Sequence, residues 1–187
     1  MSAQRLSEPA IEPVSLDEFR DWLRIEPGNE ETTLARLLVA ARLALEGHTR
    51  RGFVSQDWRF TYACSLPGGL MRLPLGPLRA VTALRLYDGW GATTSLAPSA
   101  YDLVQDDQRP AVRLLDAAAG ARAARAEIDV TIGYGPAASD VPATLRQAIL
   151  MLATNWHARR GDHAETGLTL PRAITTLVAP YRRARLA

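Results

Sequence analysis

The segment Gln56-Asp57-Trp58-Arg59-Phe60-Thr61-Tyr62 alternates large aromatic residues with residues that favour strands, a period of two that a helix does not require. The alternation continues to about Tyr134 and is interrupted by turn-prone groups of proline, glycine, aspartate and serine. Because short strands joined by tight turns pair with their neighbours, we predict a mostly antiparallel sheet. The further predicted strands are residues 71–75, 81–87, 101–104, 111–115 and 127–132.

Two helices are predicted before this β region. Ser15-Leu16-Asp17-Glu18 has the spacing of a capping box, and the helix that it begins should run to about Arg24. The second helix should end near Gly52. Its His48 lies close to the C-terminal end, where a partly protonated imidazole would complement the helix dipole. The apolar stripe of this helix consists of Leu34, Leu37, Leu38, Ala41 and Leu45.

Two more helices are predicted after the β region. Asp140 should cap the third helix, with Pro142 tolerated in its first turn, and Gly161 should mark its end. A short last helix should begin near Pro171. The alanine-rich run 117–126 fits either a helical turn or a mobile loop. The buried stripe of the third helix is predicted to be Leu145, Ile149, Leu152 and Trp156.

Together these elements predict an α+β fold. We expect a helical core of about four helices, with an inserted, mostly antiparallel β region between helices two and three. Residues 1–13 should form an N-terminal arm, residues 14–55 and 136–170 the helical connecting core, and residues 56–135 the inserted β region. Residues 171–187 should form a C-terminal docking helix and a basic tail.

Charge is distributed unevenly along the 187 residues, although the net charge is only +2. Eight carboxylates lie between Glu8 and Glu31, whereas no acidic residue follows Glu165. The two ends of the chain should therefore prefer partners of opposite charge. The chain has no apolar run of about 18 residues and no signal-peptide pattern at its start, so we expect a soluble, cytoplasmic protein without a membrane partner.

Candidate chemical motifs favour structural interpretations. His157 and His163 straddle Gly161, so they do not have the spacing that would place two zinc ligands on one helix face. Gly133-x-Gly135 is missing the third glycine of a dinucleotide-binding loop and is expected to form a strand-to-helix turn. The single cysteine, Cys64, is expected to be a small buried residue. Because no catalytic constellation is recognisable, we predict no enzyme activity and no cofactor.

The C-terminal end combines an apolar face with unopposed positive charge. The face is formed by Ile174, Leu177, Val178 and Tyr181, and it indicates that part of this segment packs on something. The basic residues that follow fit either a solvated tail or a docking element for an acidic partner or nucleic acid.

The order of several short passages resembles the head-tail connector family of tailed phages and phage-derived gene transfer agents. The resemblance covers about residues 12–183 and depends on the order of many weak motifs. They are Glu12-Pro13-Val14-Ser15-Leu16, Leu37-Leu38-Val39-Ala40-Ala41-Arg42, Gln56-Asp57-Trp58-Arg59, Leu73-Pro74-Leu75-Gly76-Pro77-Leu78, Val130-Thr131-Ile132-Gly133-Tyr134-Gly135, Val141-Pro142-Ala143-Thr144-Leu145-Arg146-Gln147-Ala148-Ile149, Leu170-Pro171-Arg172-Ala173-Ile174 and Pro180-Tyr181-Arg182-Arg183.

The resemblance implies a non-catalytic adaptor subunit that forms a ring, commonly a dodecamer, at the head-tail junction of a particle assembled in the bacterial cytoplasm. Its partners would be the portal protein above and a tail-completion or stopper protein below, with DNA passing through the channel without sequence-specific binding.

For the C-terminal segment, the resemblance suggests docking on the portal. The apolar contacts would come from Ile174, Leu177, Val178 and Tyr181. Arg182, Arg183 and Arg185 would pair with carboxylates, and the segment would be disordered when free.

Two other classes of function stay open on the sequence alone. The main alternative is a small nucleic-acid-binding domain that uses the basic C-terminal tail for phosphate contacts, although a nearly neutral chain is unusual for such a protein. A small enzyme with an unrecognised site is the third hypothesis. Capture of intact particles would separate the three classes.

Overall fold

The computed structural model describes residues 1–28, 30–63, 66–106, 109–159 and 170–182. Within them the α+β class is confirmed: most of the antiparallel strands lie, along the chain, between two helices within residues 16–49 and two helices within residues 143–178. The helices are α1 (Leu16–Leu23), α2 (Glu31–Thr49), α3 (Ala117–Arg122), α4 (Ala143–Ala158) and α5 (Arg172–Val178). The strands are β1 (Ser2–Arg5), β2 (Gln56–Ala63), β3 (Leu70–Arg72), β4 (Leu78–Tyr87), β5 (Thr93–Ser95), β6 (Tyr101–Val104), β7 (Ala111–Leu114) and β8 (Arg125–Ile132).

The strands form two sheets in which every pair is antiparallel, as predicted. The larger sheet has the order β1-β2-β8-β4-β5, and the smaller has the order β3-β7-β6. Between them lies an apolar cluster that includes Phe60, Ile128, Leu84 and Val112. Successive side chains of a strand point to opposite faces, and the opposite face of β2, β8 and β4 carries the charged Arg59, Asp129 and Arg85.

A second apolar cluster joins the helices. α2 and α4 supply most of it, and Val14, Phe19 and Phe53 complete it. Leu38 and Ile149 are both buried there, which confirms the two longest apolar progressions of the sequence as core. Residues of α1 and α5 pack on the same cluster, so four helices share one core.

Local details correct several predictions about helix ends. Ser15 caps α1 by accepting a hydrogen bond from the Glu18 amide at 3.1 Å, as predicted. α2 ends at Thr49 with Arg50 in the left-handed conformation, three residues before Gly52, where an added Cβ would meet Ile132 at 3.0 Å. Asp140 does not cap α4: its carboxylate accepts from the Ala137 amide at 2.9 Å, and the N-cap position belongs to Pro142.

The turn Gly133-Tyr134-Gly135 leads from the β region back to the helices. Gly133 has a φ of 126°, and a Cβ there would lie 2.7 Å from the Val54 carbonyl oxygen, so both conformation and space require glycine. The turn thus brings the end of β8 against the residues between α2 and β2. Gly161, expected to end α4, and Cys64 lie outside the described residues.

Candidate functional site

The C-terminal segment packs on the chain's own helices. Ile174 and Val178 of α5 are buried against the helical cluster, and Leu177 and Tyr181 are half-buried at its edge. The expectation that this segment is disordered in the free chain is therefore wrong for residues 170–182. The apolar face gains its burial from α4, which offers an apolar surface within the same chain.

A buried arginine fixes the end of this segment. Arg51, two residues after the end of α2, donates from Nε to the carbonyl oxygen of Tyr181 at 2.7 Å. The next residue, Arg182, is exposed and lies near His48. Burial, and secondarily the positive charge of Arg182, lower the pKa of His48. This lowered pKa disfavours the partial protonation that the sequence predicted at the end of α2.

These contacts place two exposed arginines beside the end of α2. Arg50 follows the helix directly, and Arg182 lies near His48 in its last turn. Arg183 and Arg185 lie outside the described residues. A surface of guanidinium groups can bind carboxylates or phosphates through paired N–H donors.

A buried polar network holds the N-terminal arm against α2. Arg42 is only 2% exposed and forms a two-pronged contact with the Glu12 carboxylate, at 2.8 and 3.0 Å. It also donates to Glu46 at 3.2 Å. The second oxygen of Glu46 accepts from the Phe53 amide at 2.8 Å and from the Gln56 side chain at 2.9 Å. One cluster thus ties the arm, α2 and the start of β2 together.

Opposing effects act on the pKa of Glu46. Burial raises it, and the Phe53 amide, Arg42 and Gln56 offset this only in part, so the pKa lies above its usual value. Sequence analysis did not identify this network. The one local signal was the i, i+4 spacing of Arg42 and Glu46, which is also common on solvated helix faces.

A second cluster lies on the polar face of the larger sheet. The Asp129 carboxylate on β8 accepts two hydrogen bonds from Arg59 on β2, at 2.6 and 2.8 Å, and one from Arg85 on β4, at 3.0 Å. The Arg59 hydrogen bonds, helped by Arg85, hold the pKa of Asp129 below its usual value. The cluster crosses three strands and stabilises the sheet.

His157, one of the two histidines of the rejected zinc-site hypothesis, contacts a carboxylate at the start of another helix. Nε2 of His157 lies 3.1 Å from the Glu30 carboxylate, a contact between α4 and the start of α2. His163 lies outside the described residues. Within the described ranges, no group of three or more His, Cys, Asp or Glu side chains could hold a metal ion. None of the helices in these ranges is long and apolar enough to cross a membrane.

Comparison with solved structures connects this fold to a class of assemblies. A chain from the neck of an empty GTA particle, computed with C6 symmetry, is 30% identical, with a TM-score of 0.82. A chain from the virion of a native gene transfer agent (GTA) particle is 31% identical, with a TM-score of 0.81. A chain from the neck of a native GTA particle, computed with C12 symmetry, is 29% identical, with a TM-score of 0.79. Each comparison covers 100% of this chain and 98% of the other.

The class that the fold and these similarities define is that of structural proteins of phage-like particles. No protein-family model matches the chain, and no curated protein matches it. The chain belongs to the family of gene transfer agent particle proteins that these neck and virion chains represent. Its place is accordingly in the particle, at the junction of head and tail.

Proposed function

We propose that the protein is a head-tail connector subunit that forms a ring beneath the portal and joins head to tail around the DNA channel. The full-length similarity to neck chains of particles computed with C6 and C12 symmetry carries this proposal. Twelve copies would fit both symmetries, since a twelvefold ring also contains sixfold rotation. The role is non-catalytic, and a tail-completion or stopper protein would bind the opposite side of the ring.

A particle experiment tests the ring. Particles are purified from cells that carry the chain with an added compact tag, from untagged cells and from cells without the gene. We expect tagged particles to show twelve additional densities in one layer between portal and tail, and we expect heads without tails when the gene is absent. Tag density elsewhere in the particle, or normal tailed particles without the gene, would contradict the proposal.

We further propose that the C-terminal segment docks on the portal. Ile174 and Val178 already pack on the chain's own helical cluster, so they would fix the position of the segment. The half-buried Leu177 and Tyr181 lie at the edge of that cluster and would contact the portal. Arg182, Arg183 and Arg185 would extend from this base toward portal carboxylates. Arg51 supports the arrangement, since its bond to the Tyr181 carbonyl fixes the point from which the basic residues leave.

Charge reversal tests this docking better than truncation does. Truncation after Thr169 would remove Ile174 and Val178 from the core and lower stability. A failure to join heads could then result from either instability or lost docking. We therefore replace Arg182, Arg183 and Arg185 by glutamate in one variant. The matched control reverses three exposed arginines of the β region, Arg109, Arg113 and Arg122.

The C-terminal variant should melt like the parent but fail to join portal-bearing heads, whereas the control should join them. Equal joining by both variants would contradict portal docking. If the C-terminal variant joins heads but loses a salt-sensitive affinity for duplex DNA that the parent shows, the nucleic-acid alternative is favoured instead.

A further inference from the structure

The outward face of α2 is apolar although it faces solvent. Val39 is 36% exposed and Leu43 41% exposed, and Ala35 and Ala40 are exposed beside them. At 100° per residue these positions and Gly47 share an arc of about 140°, and they extend for about 18 Å along the helix axis. Arg36 is an exposed, charged residue within this arc. The strip continues onto the N-terminal arm through Ile11, which is also exposed. An exposed helix face that is mostly apolar marks an interaction surface.

No contact within the described residues explains why residue 47 is a glycine. It lies inside α2, where glycine lowers helix stability relative to alanine. An added Cβ would meet no atom within 4 Å, so nothing among the described residues requires its absence. A glycine on an exposed apolar helix face is useful where the backbone of another chain comes close. This observation is independent of the exposed aliphatic side chains and indicates a proteinaceous partner.

Charge narrows the identity of that partner. Residues 1–31 carry eight carboxylates and three arginines, a net charge of −5, so the remaining residues carry +7 because the whole chain has +2. The α2 face borders the acidic arm, where Glu8 and Glu12 approach Arg42. At the end of the α2 face that meets the arm, these carboxylates would repel DNA phosphates. The basic remainder of another copy of the chain is complementary to it.

We infer that the outward face of α2, formed by Ala35, Val39, Ala40, Leu43 and Gly47, is the surface on which the next copy of the chain packs in the ring. The inference rests on the proposed ring and names its contact surface. In a closed ring each copy uses two different patches, one toward each neighbour, so an apolar face on one side must meet another part of the next copy. Gly47 allows the neighbour's backbone to approach α2 closely.

A single methyl group tests the inference, because the free chain and the ring should respond in opposite directions. Gly47→Ala should raise the Tm of the isolated chain by roughly 2 to 4 °C, since alanine favours the helix and meets no atom within the chain. In the ring the same methyl group would collide with the neighbour, and incorporation into particles should fall by roughly tenfold. Gly89→Ala is the matched control, since a Cβ there also meets no atom within 4 Å, and it should leave incorporation unchanged.

A crosslinking measurement identifies the neighbour directly. Leu43 is replaced by the photoreactive residue p-benzoylphenylalanine, and purified particles are irradiated. Adducts with a second copy of the chain support the inference. Adducts with another particle protein alone, no intermolecular adduct, or parental incorporation of Gly47→Ala would overturn it. These outcomes would not contradict the proposed function. The proposed function would be contradicted separately if the unmodified chain were absent from the layer between portal and tail.

Discussion

Single residues decide how the arm and the helices are held together. Arg42 lies in the core of the molecule, yet three carboxylates surround it, and Glu46 in turn receives an amide and a side-chain donor. A buried ion pair of this kind contributes little net stability compared with apolar packing, but removal of one partner leaves a costly unpaired charge. The sequence shows which residues these are, but it did not predict that they are buried. Their burial depends on how the N-terminal arm packs against α2, and local sequence patterns do not determine that packing.

Replacement of Arg42 tests this balance. Arg42→Met should lower the free energy of unfolding by roughly 3 to 5 kcal/mol, because the buried Glu46 carboxylate loses its counterion. The double variant Arg42→Met with Glu46→Gln should recover much of the loss, since the neutral amide oxygen can still accept from the Phe53 amide. Urea unfolding measures the coupling free energy between residues 42 and 46 when the parent, both single variants and the double variant are compared. Additive effects of the two substitutions would contradict the linkage.

The carboxyl group of Asp129 predicts a defined dependence of stability on pH. Its pKa is lowered in the folded chain by Arg59 and Arg85, so its contribution is present above the unfolded pKa of about 3.9 and is lost as pH falls through the lower folded pKa. Asp129→Asn should therefore cost roughly 1 to 3 kcal/mol at pH 7, and the difference from the parent should shrink below about pH 4.

Denaturant unfolding between pH 3 and 7 measures that difference. The exposed Asp102 provides a matched control, and Asp102→Asn should stay close to the parent throughout. A cost for Asp129→Asn that does not change with pH would show that packing, rather than charge, explains its effect.

At the scale of elements, strong periodicity was predictable and weak periodicity was not. The alternation around Trp58 and the stripe through Leu38 gave the right elements because each has one buried face. β1 and β5 were missed, since their side chains are mostly exposed and their strand geometry comes from pairing with β2 and β4. The run 117–126 fitted two structures, and the structure places α3 and the start of β8 there.

The two apolar stripes predict large and site-specific losses of stability. Leu38→Ala and Ile149→Ala should each lower the free energy of unfolding by roughly 2 to 5 kcal/mol, since each leaves a cavity between α2 and α4. Val39→Ala is the matched control on α2, because this neighbouring side chain is exposed, and it should change stability by less than about 0.5 kcal/mol. Chemical unfolding of the isolated chain measures all three. Equal effects of Leu38→Ala and Val39→Ala would contradict the assigned core.

At the scale of the whole molecule, periodicity and composition predicted a fold class but no function. The absence of a recognisable catalytic pattern and the opposite charges of the two ends are compatible with many proteins, and only the ordered family motifs pointed to a particle component. The C-terminal residues show why a candidate site was harder to predict than the fold. Ile174 and Val178 form an apolar face in the sequence, but sequence alone did not indicate that α4 of the same chain covers it.

The separation of the two apolar clusters leads to a prediction about folding units. Gln56 and Ile132 are direct partners at one end of β2 and β8, so residues 57–131 can be replaced by an Asn-Gly turn that joins these positions. The buried cluster around α2 and α4 uses residues before Gln56 and after Ile132 and should persist. Glu46 also retains Gln56 and Phe53 as partners.

We expect this shortened chain to be helical by circular dichroism and to melt cooperatively. Its Tm should be lower than that of the parent, because the Gly52 amide loses the Gly76 carbonyl and the Gly133 amide loses the Pro77 carbonyl. We also propose that the β region contacts neighbouring copies or the outer particle surface, and in that case the shortened chain should fail to enter particles. Normal entry would show that the β region is dispensable for assembly. A helical signal without a cooperative transition would instead show that helices and strands form a single folding unit. The packing of α2 against α4 would then depend on the larger sheet.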